Sequence, residues 1–282
     1  MAFVSIDGVQ LEVRLIANPA DNNPAYTHPI DTHPATTGRA PVVFLHEGLG
    51  SVSAWTQRGL DWPLAVCTAS HRAGVVYSRR GYGQSDPAPG QRPHLSADYL
   101  HAEAFNVLPA LLAALNIQRP VLLGHSDGAS IALLCASRQR VAACIAMAPH
   151  VVVEPIALAA IAQARLAFES TPPDGQPSLR SALARHHADV DGAFWQWNDV
   201  WLSEGFSTFD IRPQCRRIDA PLLLIQGEQD AYGTLAQLDH IAQAVAPRSV
   251  QQLRLADCGH APHRDQAEAC VAAIARFLQD LD

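Results

Sequence analysis

No stretch of this sequence concentrates positive charge. Its 20 Lys and Arg residues are scattered among 27 Asp and Glu, giving a formal net charge of −7 over 282 residues. There is neither a basic run nor a basic helix, so a nucleic-acid or anionic-membrane partner is not expected. No uninterrupted apolar stretch is long enough to span a bilayer. The opening residues, Met1-Ala2-Phe3-Val4-Ser5-Ile6-Asp7, lack the basic region and apolar run of a secretion signal. The six cysteines (Cys67, Cys135, Cys144, Cys215, Cys258 and Cys270) form no Cys-x-x-Cys pair. That distribution suits free thiols in a reducing cytosol better than a disulfide frame or a zinc knuckle, and a cytoplasmic location is the expectation. Neither a glycine-rich nucleotide fingerprint nor a metal-ligand spacing is present, so no cofactor and no metal are expected.

What is present is an apolar fraction of 48%, enough for one large α/β domain with an insertion. Residues 6–15 read as a hairpin turning at Asp7-Gly8. Residues 17–40 carry Pro19, Pro24, Pro29 and Pro34, whose fixed φ and missing donors argue for an exposed loop. His28, Asp31 and His33 lie in that loop, where polar residues collect without any metal to hold. Short apolar runs follow at 42–45, 74–78, 120–123, 144–147, 222–225 and 249–255. Near-continuous apolar strands suggest parallel strands covered on both faces.

Helical periods separate these runs. Leu100, Ala104, Val107, Leu108, Leu111 and Leu115 recur at three- and four-residue steps. Pro109 falls inside that pattern and predicts a kink or break near Phe105. Leu235, Leu238, Ile241 and Val245 make a second face, and Val271, Ile274, Phe277 and Leu278 a third. Strands alternating with helices imply a doubly wound, mostly parallel sheet. Residues 150–215 break the rhythm with helical patterns and a dense aromatic stretch, which reads as a helical insertion between two strands.

Gly124-His125-Ser126-Asp127-Gly128 is a Gly-x-Ser-x-Gly motif between an apolar strand and a small-residue helix. In that setting it describes a sharp strand-to-helix turn that presents the serine hydroxyl, with a helix N-terminus behind it to favour developing negative charge. A plain β–α connection or a phosphate-binding turn is the alternative. A serine hydroxyl needs a base to take its proton. Downstream, Asp230 ends Gln226-Gly227-Glu228-Gln229-Asp230 at the C-terminal edge of a buried strand, where open α/β sheets place their sites. Glu228 is its competitor, and Asp230 is preferred because it falls in the loop proper. His260 and His263 both lie after the last strand, beside Gly259.

From Val42 onward the chain resembles an α/β-hydrolase with a helical cap. The resemblance rests on His46-Glu47-Gly48-Leu49-Gly50, Arg80-Gly81-Tyr82-Gly83-Gln84-Ser85, the motif at 124–128, residues 227–230 and Gly259-His260. It implies Ser126 as nucleophile, His260 rather than His263 as general base and Asp230 as the acid that orients it. It also implies an oxyanion hole made by the backbone N–H groups of Gly48 and Asp127. Residues 150–215 would then be the cap, and residues 1–149 and 216–282 the core domain. The expected activity is hydrolysis of a small carboxylic ester or lactone. The same triad would serve a thioester, a carbon–carbon bond beside a carbonyl or a peptide N-terminus, and some relatives are non-catalytic binding proteins.

Two features concern the substrate side, where a small-molecule substrate is the only partner expected. Phe194, Trp197 and Trp201 share one helix face; they either line the pocket or pack the insertion onto the core. Glu47 stands where many α/β-hydrolases carry glycine. A bare carboxylate beside an oxyanion hole would oppose the developing charge by an amount on the order of a few kcal/mol at an effective dielectric near 20. An ion pair with Arg79 or Arg80, or a contact with His150, is expected to neutralise it. Otherwise the carboxylate faces the pocket and binds a hydroxyl or cationic group of the substrate.

Overall fold

The computed structural model describes residues 2–18, 39–90, 92, 94–171, 173, 176–245 and 250–281. Most of the proline-rich segment, with His28, Asp31 and His33, lies outside the described residues.

The strands are β1 (Ala2–Ile6), β2 (Val9–Ile16), β3 (Val42–Leu45), β4 (Thr56–Gln57), β5 (Leu60–Asp61), β6 (Gly74–Tyr77), β7 (Val121–His125), β8 (Ala143–Met147), β9 (Leu222–Gly227) and β10 (Val250–Leu255). The helices are α1 (Trp62–Ser70), α2 (Tyr99–Ala102), α3 (Leu108–Ala114), α4 (Asp127–Ala136), α5 (Pro155–Glu169), α6 (Leu179–Leu183), α7 (Val190–Trp201), α8 (Arg212–Cys215), α9 (Ala236–Ala244), α10 (Pro262–Asp265) and α11 (Ala267–Gln279). Eight strands form one sheet in the order β1-β2-β6-β3-β7-β8-β9-β10, while β4 and β5 pair separately. All pairs from β6 to β10 are parallel; β1 and β2 join antiparallel.

The central strands are buried along their whole length because both faces are covered. Alternate residues point to opposite sides. Val43, Leu45, Val75, Tyr77, Leu122 and Leu224 enter one core with α4 and α9. Val42, Phe44, Val76, Leu123, Ile145 and Ile225 enter the other, with α1 and α11. Burying each such side chain contributes about 1.5–3 kcal/mol against chain entropy. In the edge strand β10, Gln251, Gln252 and Arg254 are exposed and only Leu255 is buried; Ser249, the expected first residue of that run, lies outside the described residues.

Three local expectations meet their physical causes here. Asp7 and Gly8 both have positive φ, the requirement of a tight two-residue hairpin turn. Between α2 and α3 the helix widens into a single π-helical turn, Glu103–Val107. Pro109 would clash with the carbonyl of Phe105 in a regular helix, and the wider turn relieves it. Between β8 and β9 stand the α-helices α5 to α8 and a 3-10 helix, Glu204–Thr208, with no strand among the described residues. An isolated bridge from Val152 to Asp210 closes the base of this insertion.

The chain leaves β3 for β6 on one side, then returns to β7 on the other side of β3. A crevice opens at such a reversal, at the C-terminal strand ends. Ser126 directly follows β7, beside the loop that follows β3.

Candidate active site

Ser126 sits at φ 53° and ψ −118°, a conformation costly for a residue with a side chain. The surrounding turn enforces it. A Cβ on Gly124 would overlap the Gly128 carbonyl, and one on Gly128 would overlap the Leu45 carbonyl. Both glycines are thus required for strand β7 and helix α4 to approach each other and β3. The Ser126 N–H donates to the Met147 carbonyl (2.9 Å) and holds the turn against β8.

His260 Nε2 lies 3.0 Å from Ser126 Oγ, and His260 Nδ1 lies 2.9 Å from each carboxylate oxygen of Asp230. Asp230 is brought to the histidine; Glu228 is exposed to solvent. Asp230 Oδ1 accepts from the N–H groups of Tyr232 (2.7 Å) and Gly233 (3.2 Å), and Oδ2 from Gln226 Nε2 (3.2 Å). Burial pushes this carboxyl up. The His260 hydrogen bond and charge, with the Tyr232 N–H, outweigh burial and leave it below its ordinary value. His263 is the second residue of the short helix α10, buried against Trp55 and Trp62, and burial together with neighbouring positive groups holds it well below its ordinary value.

The loop after β3 is fixed by His46. Its Nε2 accepts from the Arg79 N–H (3.0 Å), so Nδ1 carries the proton donated to the Glu47 carbonyl (2.6 Å). Burial and Arg79 keep the ring neutral. The amides of Gly48 and Asp127 donate to no other group among the described residues.

Glu47 is paired, but not as its sequence neighbours suggest. Its Oε1 accepts from Arg264 Nη2 (2.6 Å), and Oε2 lies 3.5 Å from His125 Nδ1. Burial raises this carboxyl, and Arg264 and His125 together bring it well below the ordinary range. Arg79 instead turns under the Tyr82 ring, donates to the Glu47 backbone carbonyl (2.9 Å) and stands 3.6 Å from Asp127. Arg80 points away and donates to the Pro87 carbonyl (3.2 Å). His150 packs between Trp201 and His260, and burial, then the charge of His260, lowers it to about 3.

The three aromatics of α7 divide their work. Trp197 lines the cavity over Ser126. Phe194 stacks on Phe168 of α5, 3.7 Å between centroids, and does not line it. Trp201 is also outside the lining; its Nε1 donates to Asp127 Oδ1 (3.2 Å) and to the Tyr99 hydroxyl (3.0 Å). The Tyr99 hydroxyl in turn donates to Asp127 Oδ2 (2.6 Å). Burial lifts the Asp127 carboxyl above its ordinary value, against the pull of Arg79, Tyr99 and Trp201.

The cavity holds about 470 Å³, with Ser126 and His260 in its wall beside Glu47, Gly48, Trp197 and Tyr232. Sequence reasoning missed Tyr232, His125 and Arg264. Arg264 follows His263 directly and Tyr232 follows Asp230 by two positions, so proximity in sequence to those candidate residues was the only available signal. Among the described residues no group of three or more His, Cys, Asp or Glu side chains could hold a metal ion, and no helix is long and apolar enough to cross a membrane.

Comparison with known proteins agrees with this architecture. The profile of the alpha/beta hydrolase family matches residues 42–273. A search of curated proteins by sequence found no match. Among solved structures, an enol-lactonase from Burkholderia xenovorans superposes with TM-score 0.69 at 20% identity, covering 98% of this chain and 99% of its own. A proline iminopeptidase from Mycobacterium smegmatis gives 0.68 at 17%, covering 99% and 97%. A meta-cleavage product hydrolase from Pseudomonas fluorescens gives 0.63 at 15%, covering 98% and 96%. At these identities the likeness is one of fold.

Proposed function

The chain belongs to the alpha/beta hydrolase family, and from that premise we propose that it is a serine hydrolase cleaving a small carboxylic ester or lactone through an acyl-enzyme on Ser126. One observation carries the proposal: a single imidazole bridges Ser126 Oγ at 3.0 Å and both Asp230 oxygens at 2.9 Å. A non-catalytic binding protein has no need to hold a serine in a strained turn within reach of an oriented base.

In this reading Ser126 Oγ attacks the substrate carbonyl carbon as His260 Nε2 takes its proton. Asp230 accepts the bond from Nδ1–H and stabilises the imidazolium without itself taking the proton. The oxygen that gains negative charge is received by the free N–H groups of Gly48 and Asp127, at the N-terminus of α4. Collapse breaks the bond to the leaving alkoxide, which receives the proton from His260. In a lactone that oxygen remains tethered to the acyl group. Water, deprotonated by His260, then attacks the acyl carbon; the bond to Ser126 Oγ breaks, His260 returns the proton to Oγ, and the acid is released. Helices α5 to α8 act as a cap whose Trp197 supplies an apolar wall.

Ester-type substrates are favoured over peptide N-termini by the acids of the cavity. An N-terminal ammonium needs an uncommitted carboxylate. Here Glu47, the acid next to Gly48, is already held by Arg264. The six cysteines are all free and buried, which supports a reducing, cytoplasmic location.

Incubation with a serine-reactive phosphonate should label Ser126, and a rate panel over esters, lactones, thioesters and amino-acid amides should place esters or lactones first. An unlabelled Ser126 rejects the enzyme reading. A labelled serine with thioesters or amides preferred rejects the bond assignment.

A further inference from the structure

Four side chains with formal charge line the cavity over Ser126: Glu47, Arg185, Arg264 and Asp265. Glu47 and Arg264 are paired with each other, and one carboxylate oxygen of the exposed Asp265 accepts from the Gly259 N–H. Arg185 is exposed and has no hydrogen-bond or ion-pair partner among the described residues.

Its backbone, by contrast, is anchored. Arg185 lies in the link from α6 to α7, and the two residues after it tie that link to the core. His186 Nδ1 meets Ser53 Oγ at 2.9 Å. His187 Nδ1 accepts from the Gly83 N–H (3.0 Å), so its Nε2–H donates to the Leu49 carbonyl (3.0 Å). Burial, then the charges of Arg185 and Arg264, hold His186 below its ordinary value, so it adds no lasting charge of its own. A fixed backbone thus presents a free guanidinium at the rim of a cavity whose wall also carries Leu49, Leu183 and Trp197.

We propose that Arg185 recognises a carboxylate on the substrate, and hence that the preferred substrates are esters or lactones bearing a free acid group beyond an apolar spacer. The proposal rests on the reading of this cavity as the substrate site. A guanidinium offers two parallel N–H donors matched to a carboxylate, and the charge of the other cation in the cavity, Arg264, is already balanced by Glu47. A chain of net charge −7 repels an anion at long range, so an anionic substrate needs a local cation to be held at all.

Binding tests this without turnover. In Ser126→Ala protein, calorimetric titration with monomethyl glutarate and its neutral match, dimethyl glutarate, should show tighter binding of the half-ester. Adding Arg185→Gln should weaken half-ester binding on the order of tenfold or more and abolish the preference, with Arg185→Lys in between. Equal half-ester affinity with and without Arg185, no detectable half-ester binding, or a preference for a trimethylammonium-bearing ester would overturn the proposal. Phosphonate labelling of Ser126 in the wild-type protein reads the hydrolase assignment separately. A labelled serine with no half-ester preference therefore rejects only the role of Arg185. A half-ester preference with no labelling rejects only the hydrolase assignment.

Discussion

The indole of Trp197 lies directly on Gly48: a Cβ built on Gly48 would overlap Trp197 Nε1 and Cδ1. The helical insertion therefore rests on the loop after β3 that carries Gly48, the oxyanion donor we propose, and that position must stay glycine while the indole is there. The same indole lines the cavity, so one contact serves both the seating of α7 and the shape of the site.

Gly48→Ala should accordingly lower the melting temperature and the turnover rate together. Combining it with Trp197→Ala should restore part of the stability lost, a non-additivity on the order of 1–3 kcal/mol for groups in direct contact. Thermal unfolding of the two single variants and the double variant checks this, and strictly additive losses would count against the contact.

A second coupling joins α7 to the Ser126 turn, through the bond from Trp201 Nε1 to the Asp127 carboxylate. Trp201→Phe removes the donor and, at this buried position, also leaves a smaller ring and a cavity that adds to the loss. A bond to a buried charged group of this kind contributes about 1.5–3 kcal/mol. Turnover should fall with stability, because the Asp127 backbone also forms the start of α4 behind Ser126. Unchanged stability in chemical denaturation would show that Tyr99 and Arg79 alone suffice to hold Asp127.

Ser126→Ala and His260→Ala should each abolish nearly all turnover, by a factor on the order of a million, with a smaller loss for Asp230→Ala. The acid limb of the kcat/KM profile should have unit slope, reporting loss of one proton from the base. His150, lowered to about 3, and His263, held well below its ordinary value, are already neutral there and add no second step. Full activity in His260→Ala, or a slope of two, would contradict this assignment.

Stability should decline with acid in two stages. Buried His46, His150 and His263 all have lowered values in the folded protein, so unfolding takes up protons as pH falls below about 6.5, and stability begins to drop there. The depressed carboxyls Glu47 and Asp230 contribute stability that is complete above about pH 4.5 and is lost as pH falls through their lower folded values. Glu47→Gln should cost about 2 kcal/mol at pH 7, because Arg264 is left partly buried without its partner. That difference should shrink towards pH 3. A gap independent of pH in urea unfolding would assign the loss to packing instead.

Much of this fold was legible in the sequence because local physics writes itself into local patterns. Strands β3, β6, β7, β8 and β9 are covered on both faces, so they admit almost no polar side chain and read as apolar runs. Gly124 and Gly128 are demanded by a turn only five residues long, and Pro109 announced the distortion at Phe105 through a clash four residues away. Pairings across the fold carried no such trace. Glu47 is neutralised by Arg264, 217 positions away, while Arg79 and Arg80, which leave the adjacent strand, turn to Asp127 and to Pro87. Phe194, Trp197 and Trp201 share one helix face, yet one packs within the insertion, one lines the cavity and one bonds Asp127. Helical spacing determined that the three rings point the same way. Which surface each one meets was decided by how α7 lies across the loop after β3, a matter of packing between segments far apart in the chain.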